Sequence, residues 1–229
     1  MTRLFGVMGD PITHSLSPVL HAAAFAAWRL DALYEPFQVP QRFLAPILRA
    51  LTNAGVEGLN VTVPLKEAVM PLLDRMDPTA RAIGAVNTIV VRNGRLAGFN
   101  TDAVGFLRAL EELRWRRGPV RAVILGAGGS ARAVAWALAQ SRGSRLVIAN
   151  RHPERAAALH RRLLVYDLVY NRSTALVQAG RRRGCVAANG LSMLLYQGAE
   201  SLRLWLHRPP PLEAMRRALT TKLNTRRFH

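Results

Sequence analysis

A strongly apolar segment, residues 120–125, runs straight into Gly126-Ala127-Gly128-Gly129-Ser130-Ala131 and then into a helix-forming stretch. This order constrains the fold more than any other feature of the chain. Strand, glycine-rich turn and helix in immediate succession form the first half of a βαβ unit, so a parallel sheet flanked by helices is expected. Gly126 allows a tight turn, Gly128 lets the backbone approach a pyrophosphate, and the small residues beyond let the helix pack closely with its positive N-terminal end against the anion. A bare strand-turn-helix is the plainer alternative, and the context argues against it. The next strand, residues 145–149, ends at Asn150-Arg151, with Arg155 one turn on. A ribose diol would require an acid there, whereas arginines suit a 2′-phosphate and hence NADP. Arg155 also reads as a solvated helix face; Arg151, at the strand end, is the stronger candidate.

The remaining pattern alternates in the same way. Strands are expected at residues 4–8, 33–39 and 58–63, and helices at 18–28, 43–54, 66–76 and 79–83. A hairpin follows at 87–92 and 95–98 about Asn93-Gly94. A helix at 102–113 leads through a polar, turn-prone stretch into the glycine-rich unit. That unit has helices at 130–139, 153–163 and 175–182 and strands at 145–149, 165–170 and 185–188. Helices at 191–206 and 212–219 close the chain. The expected fold is α/β in two lobes: a substrate lobe from residues 1–101, a Rossmann-like dinucleotide lobe from 102–190, and C-terminal helices, 191–229, returning to the first lobe.

Half of the 229 residues are hydrophobic, enough for a sizeable core. No apolar run is long enough to span a bilayer and the N-terminus lacks a signal-type apolar core, so a cytoplasmic protein is expected. The one cysteine, Cys185, reads as a small buried apolar residue, and no Cys/His spacing suggests a metal. Residues 103–229 carry 23 basic and 6 acidic side chains, against 9 and 8 in residues 1–102. The arginine clusters lack interleaved aromatics or a nucleic-acid motif, so a solvated basic surface that attracts small anions is the simpler reading.

Of the 32 basic residues only two are lysines, and one, Lys66, closes Asn60-Val61-Thr62-Val63-Pro64-Leu65-Lys66. An ammonium, unlike a guanidinium, can give up its proton when buried, so Lys66 is a candidate proton donor; a solvated lysine at a helix start is the alternative. Small polar residues gather at Ser15-Leu16-Ser17-Pro18, Asn87-Thr88 and Asn100-Thr101-Asp102. Ser17 before Pro18 reads as an N-cap, and Asp102 can likewise cap the helix after it. Ser15 lies before that cap, and Asn60 and Thr62 alternate onto one strand face. Amides and hydroxyls beside a lysine suggest a hydroxylated ligand.

Together, Gly-Asp-Pro-Ile-x-His-Ser-Leu-Ser-Pro (residues 9–18), Asn-Val-Thr-Val-Pro-x-Lys (60–66), Gly-Ala-Val-Asn-Thr (84–88), Gly-x-Asn-Thr-Asp (98–102) and Gly-Ala-Gly-Gly-Ser-Ala-Arg-Ala (126–133) closely resemble the shikimate dehydrogenase family. The resemblance covers most of the chain. It implies NADP-linked interconversion of 3-dehydroshikimate and shikimate, with Lys66 and Asp102 as the catalytic pair. It further implies Ser15 and Ser17 on the substrate carboxylate, and Thr62, Asn87 and Asp102 on its ring hydroxyls, with Asn60 structural. Gly190-Leu191-x-Met193-Leu194 and Gln197 match as well, which implies Gly190 near the nicotinamide, Gln197 on the substrate, and Tyr170 as a further contact near the ring. Gly126 to Ser130, with Asn150, Arg151 and Arg155, would hold the cofactor. A monomer or homodimer without nucleic-acid or membrane partners is expected.

The chain departs from the family pattern after residue 163. There the family has another strand, a loop resembling Asn-Ala-Thr-x-x-Gly-Met and further chain, whereas residues 165–170 follow here almost directly. The expected omission is on the order of 30 residues, a strand-helix unit. Asn189 stands where the family pattern has aspartate. An enzyme with a trimmed cofactor lobe is therefore one reading; a shikimate binder with little or no turnover, and a quinate dehydrogenase, are the others.

Overall fold

The computed structural model describes residues 2–116, 118–149 and 164–225. The first lobe runs β1 (Arg3–Gly9), α1 (Ser17–Ala27), β2 (Ala32–Gln38), α2 (Leu44–Asn53), β3 (Val56–Val61), α3 (Leu65–Ala68), β4 (Arg75–Met76), α4 (Pro78–Ile83), β5 (Thr88–Arg92) and β6 (Arg95–Phe99). These strands form one sheet in the order β2-β1-β3-β5-β6-β4. β1 is parallel to β2 and β3, β3 and β5 are antiparallel, β5 and β6 make the expected hairpin, and β4 lies parallel to β6. The hairpin turns on Asn93 and Gly94, both at positive φ, as a two-residue turn that follows the strand twist requires.

Side chains alternate across this sheet with period two. Phe5 and Val7 of β1 face a core that also holds Leu16, Leu20, Phe25, Leu202 and Trp205. Met8 faces the opposite core, with Leu44, Leu48, Leu59, Leu65 and Ile89.

The second lobe contains α5 (Asp102–Glu112), β7 (Arg121–Leu125), α6 (Gly129–Ala139), β8 (Arg145–Ala149), β9 (Leu164–Tyr166), α7 (Ala175–Arg182) and β10 (Val186–Ala188). Then α8 (Leu191–Leu206) and α9 (Leu212–Thr225) return to pack on α1. A third core of Ile83, Ala85, Phe106, Ile124, Ala133, Val134 and Met193 joins the lobes. At its centre α5 crosses α8 at Gly105, where a Cβ would stand 2.7 Å from the Gln197 backbone nitrogen. Only a glycine permits that approach, and it fixes the helix bearing Asp102 against the helix bearing Gln197.

Four local expectations are corrected. The helix expected over residues 66–76 stops at Ala68, because Pro71 lies in a short 3-10 turn (Met70–Leu72) and Arg75–Met76 join the sheet. The strand expected over 165–170 ends at Tyr166. Asp167 ends it by accepting from the Val169 N–H at 3.0 Å and the Thr174 hydroxyl at 2.5 Å, so Tyr170 sits on a loop. The last helix extends to Thr225 rather than 219. Finally, neither Ser17 nor Asp102 caps its helix, as the site geometry below makes clear. The helix expected over residues 153–163 lies outside the described residues.

In the second lobe β7 pairs in parallel with β8, and β9 with β10, as two separate two-stranded sheets among the described residues. Ala122 and Ile124 pack into the third core, while Val123, Leu125 and Val147 remain 67, 47 and 60 % exposed. Parallel sheets are ordinarily covered on both faces, and among the described residues nothing covers this second face. Among the described residues no helix is long and apolar enough to cross a membrane.

Candidate active site

A cavity of about 220 Å³ opens between the lobes, at the C-terminal ends of β1 and β3 where ligands of parallel sheets gather. Ser15, Ser17, Thr62, Lys66, Asn87, Asp102, Ser130, Tyr170, Gly190 and Gln197 all line it. The structure thus brings together every candidate of the substrate half.

Lys66, in the first turn of α3, is buried at 7 % exposure, which removes the reading of a solvated surface lysine. Its ammonium donates to Asp102 Oδ2 at 2.5 Å and to Ser130 Oγ at 3.0 Å. Asn87 Nδ2 donates to the other carboxylate oxygen of Asp102 at 2.8 Å and to Thr101 Oγ1 at 2.9 Å. An isolated buried charge would be costly, but here cation and anion are taken from water together and hydrogen-bonded further. The carboxylate of Asp102 is consequently engaged by side chains, and Asn100 caps α5 instead, its Oδ1 accepting from the N–H groups of Asp102 and Ala103 at 3.1 and 3.4 Å. Ser17 likewise lies inside α1, whose cap position is Leu16 with no side-chain cap. The Ser15 hydroxyl accepts from the Ser17 N–H at 3.2 Å, which holds the two serines side by side on the cavity wall.

Beneath this surface lies a buried polar layer of which sequence reasoning missed Tyr34 and Ser201. Tyr34 donates to Asn60 Oδ1 at 2.7 Å, and the Asn60 amide faces Ser201 Oγ at 2.9 Å and Thr88 Oγ1 and the Asn87 carbonyl at 3.2 Å. Asn60 therefore commits its bonds to protein groups. Thr101 N–H donates to Asn87 Oδ1 at 2.7 Å, fixing which end of that amide faces Asp102. Thr88 and Thr101 were within reach of the sequence, each beside a candidate residue; Tyr34 and Ser201 carried no local signal. His21 stacks on Tyr34 with ring centroids 4.2 Å apart, fully buried, and neither ring nitrogen has a hydrogen-bond partner among the described residues. Burial lowers its pKa from 6.5 to about 3, against a smaller opposing influence of Asn60, so it is neutral.

The dinucleotide half rests on the turn before α6. Gly126 adopts φ +115, open space lies where a Cβ on Gly126 or Gly128 would stand, and no side chain caps α6. The unsatisfied N–H groups of its first turn thus face an open cradle that a pyrophosphate fits. Gly129 packs on the Lys66 side chain, its Cβ position 3.0 Å from Cδ, and Arg132 pairs with Glu67 at 3.1 Å across the lobes. Ala127 belongs to the same turn. Asn150, Arg151 and Arg155 lie outside the described residues.

A phosphate cradle set against a buried lysine–carboxylate pair in an interlobe cleft defines a dinucleotide-linked α/β oxidoreductase. Family models agree in three segments: "Shikimate dehydrogenase substrate binding domain" over residues 7–89, "Shikimate / quinate 5-dehydrogenase" over 113–180 and "Shikimate 5'-dehydrogenase C-terminal domain" over 190–220. A shikimate dehydrogenase (NADP(+)) of Moorella thermoacetica is 42 % identical, over 95 % of this chain and 92 % of its own. A shikimate dehydrogenase crystallised with NADP+ superposes with a TM-score of 0.90 at 32 % identity, covering 97 % of this chain and 96 % of that one. The Thermus thermophilus enzyme, crystallised with NADP(H) and shikimate, gives a TM-score of 0.86 at 35 % identity, covering 96 and 99 %. The chain belongs to the shikimate dehydrogenase family.

Proposed function

We propose that the chain catalyses the NADP-dependent interconversion of 3-dehydroshikimate and shikimate in the cavity between its lobes. The observation that carries this reading is the buried Lys66–Asp102 pair, open to a ring-sized cavity on one side and to the α6 cradle on the other. Bound NADPH would supply a hydride to the C3 carbonyl carbon. Negative charge then develops on the carbonyl oxygen, and the Lys66 ammonium stabilises it and donates the proton. Asp102 holds the ammonium and accepts from a neighbouring ring hydroxyl. Ser15 and Ser17 bind the carboxylate, Thr62 and Asn87 the other ring hydroxyls, and Gln197 and Tyr170 close the ring in. Gly126 to Gly129 and the first N–H groups of α6 hold the pyrophosphate, with Arg151 and Arg155 on the 2′-phosphate and Gly190 beside the nicotinamide.

Residues 1–101 with the returning 191–229 form the substrate lobe in this reading, and 102–190 the cofactor lobe. A cytoplasmic address and a monomeric or dimeric state go with it. A shortened cofactor lobe is part of this reading, and the 273 aligned positions of the Moorella relative against a chain of 229 residues are in keeping with it.

The substrate assignments are tested by calorimetry with shikimate alone. Ser17→Ala and Thr62→Val are each expected to weaken binding about tenfold, as loss of one hydrogen bond to a charged or fully bound group does. Unchanged affinity in both variants would remove this cavity as the shikimate site.

A further inference from the structure

Ser130 is the second residue of α6, so the sequence places it in the phosphate-binding turn, yet its side chain points the other way. Its Oγ accepts from Lys66 Nζ at 3.0 Å and lies 3.3 Å from Asp102 Oδ2, to which it donates. Lys66 and Asp102 are 7 and 4 % exposed, whereas Ser130 is half-buried. Of the two side chains that bond the charged pair, Asn87 is 2 % exposed and lies deeper still, so Ser130 is the one nearer to solvent. A substrate ring filling the cavity covers the remaining face of Lys66, because the same cavity is lined by both residues.

We propose that Ser130 is the proton relay between Lys66 and solvent. When Lys66 gives its proton to the alkoxide oxygen, a neutral amine is left in the buried cluster beside the Asp102 carboxylate. The Ser130 hydroxyl then turns from Asp102 to Lys66 and passes its proton to the amine nitrogen, while a water proton replaces the one it gave up. The O–H bond broken at Ser130 is matched by the N–H bond formed at Lys66, and hydroxide is released to buffer. In shikimate oxidation the same steps run backward. Ser130 also fixes direction: with Asp102 and Ser130 holding two of the three ammonium N–H bonds, the third has one tetrahedral direction left, into the cavity. Because Ser130 opens the helix whose N-terminus carries the phosphate cradle, the relay is attached to the cofactor lobe.

The chain offers a direct probe, since its only lysines are Lys66 and Lys222. Lysine labelled with 15N at Nζ gives two ammonium signals, and exchange of the Lys66 signal with water is measurable without turnover. Ser130→Ala is expected to slow that exchange and to lower kcat about tenfold, with KM for shikimate and for NADP unchanged. Ser130→Thr, which keeps the hydroxyl, should restore both. Exchange that is unchanged or faster in Ser130→Ala overturns the relay and leaves Ser130 a packing partner. A kcat loss accompanied by a raised KM for NADP overturns it too, in favour of a cofactor contact. The proposal rests on the reaction assigned above but fails separately from it: slowed exchange in Ser130→Ala, with no shikimate-dependent turnover in the unmodified protein, keeps the relay and removes the reaction.

Discussion

Replacing Lys66 by alanine is expected to lower shikimate oxidation by about a thousandfold, the middle of the range for loss of a positioned general acid–base group. The variant also leaves Asp102 as a buried carboxylate without its cation, which by itself destabilises the fold by about 3 kcal/mol or more. Two companions separate chemistry from folding. In Lys66→Ala/Asp102→Asn the lone charge is gone, so the melting temperature should recover while turnover stays low. In Lys66→Arg a positive charge remains, but a guanidinium does not exchange its proton near neutral pH. Most turnover should be lost there while shikimate still binds by calorimetry. Retention of turnover in Lys66→Arg contradicts proton donation by Lys66 and reduces its part to charge complementarity.

Acid should weaken the fold through His21, and by a large factor. The native protein holds this imidazole neutral, with its pKa lowered to about 3, among Phe25, Tyr34 and Trp205. The unfolded chain protonates it at about 6.5. Above that value neither state takes up the proton, and His21 contributes no pH dependence. Between about 6.5 and about 3 only the unfolded state binds it, so each unit of acidification lowers the folding constant by a factor of about ten. Below about 3 both states are protonated and the loss levels off. His21→Phe fills the same stacked position without a titratable group. Urea midpoints of the two proteins should be similar at neutral pH, since two unpartnered nitrogens are removed, and should diverge in favour of the phenylalanine as the pH falls. Parallel midpoints down to pH values near 4 would show that His21 is solvated in the native state.

The parts of this molecule legible in its sequence are those governed by neighbours along the chain. Apolar periodicity and turn chemistry located β1, α1, the Asn93-Gly94 hairpin and the strand-turn-helix at Gly126, because each depends on a few adjacent residues. Pro71 was visible, yet whether it interrupts or merely bends a helix depends on β6 offering a partner to Arg75 and Met76, which lies about 20 residues on.

Ser17 and Asp102 show a different limit. A residue type that caps a helix is also one that binds a hydroxylated ligand, and the sequence alone does not choose. Here Asn100 does the capping and frees Asp102 for Lys66. The polar layer of Tyr34, Asn60 and Ser201 was hidden for a third reason. The three residues lie far apart in the chain, and they form a network only after β2, β3 and α8 have met. At Ser130 the glycine-rich motif places the backbone, while the hydroxyl bonds Lys66 from the other lobe, a contact no local pattern announces.

In the proposed function, a cofactor lobe whose described strands form two separate pairs still delivers a dinucleotide to the Lys66–Asp102 pair. The direct measurement is the near-ultraviolet absorbance of NADPH formed by purified protein from shikimate and NADP, with Lys66→Ala prepared in parallel to exclude a contaminating enzyme. Shikimate-dependent NADPH formation that vanishes in the variant is expected. Folded protein that binds shikimate but forms no NADPH, or forms it equally well without Lys66, would contradict it.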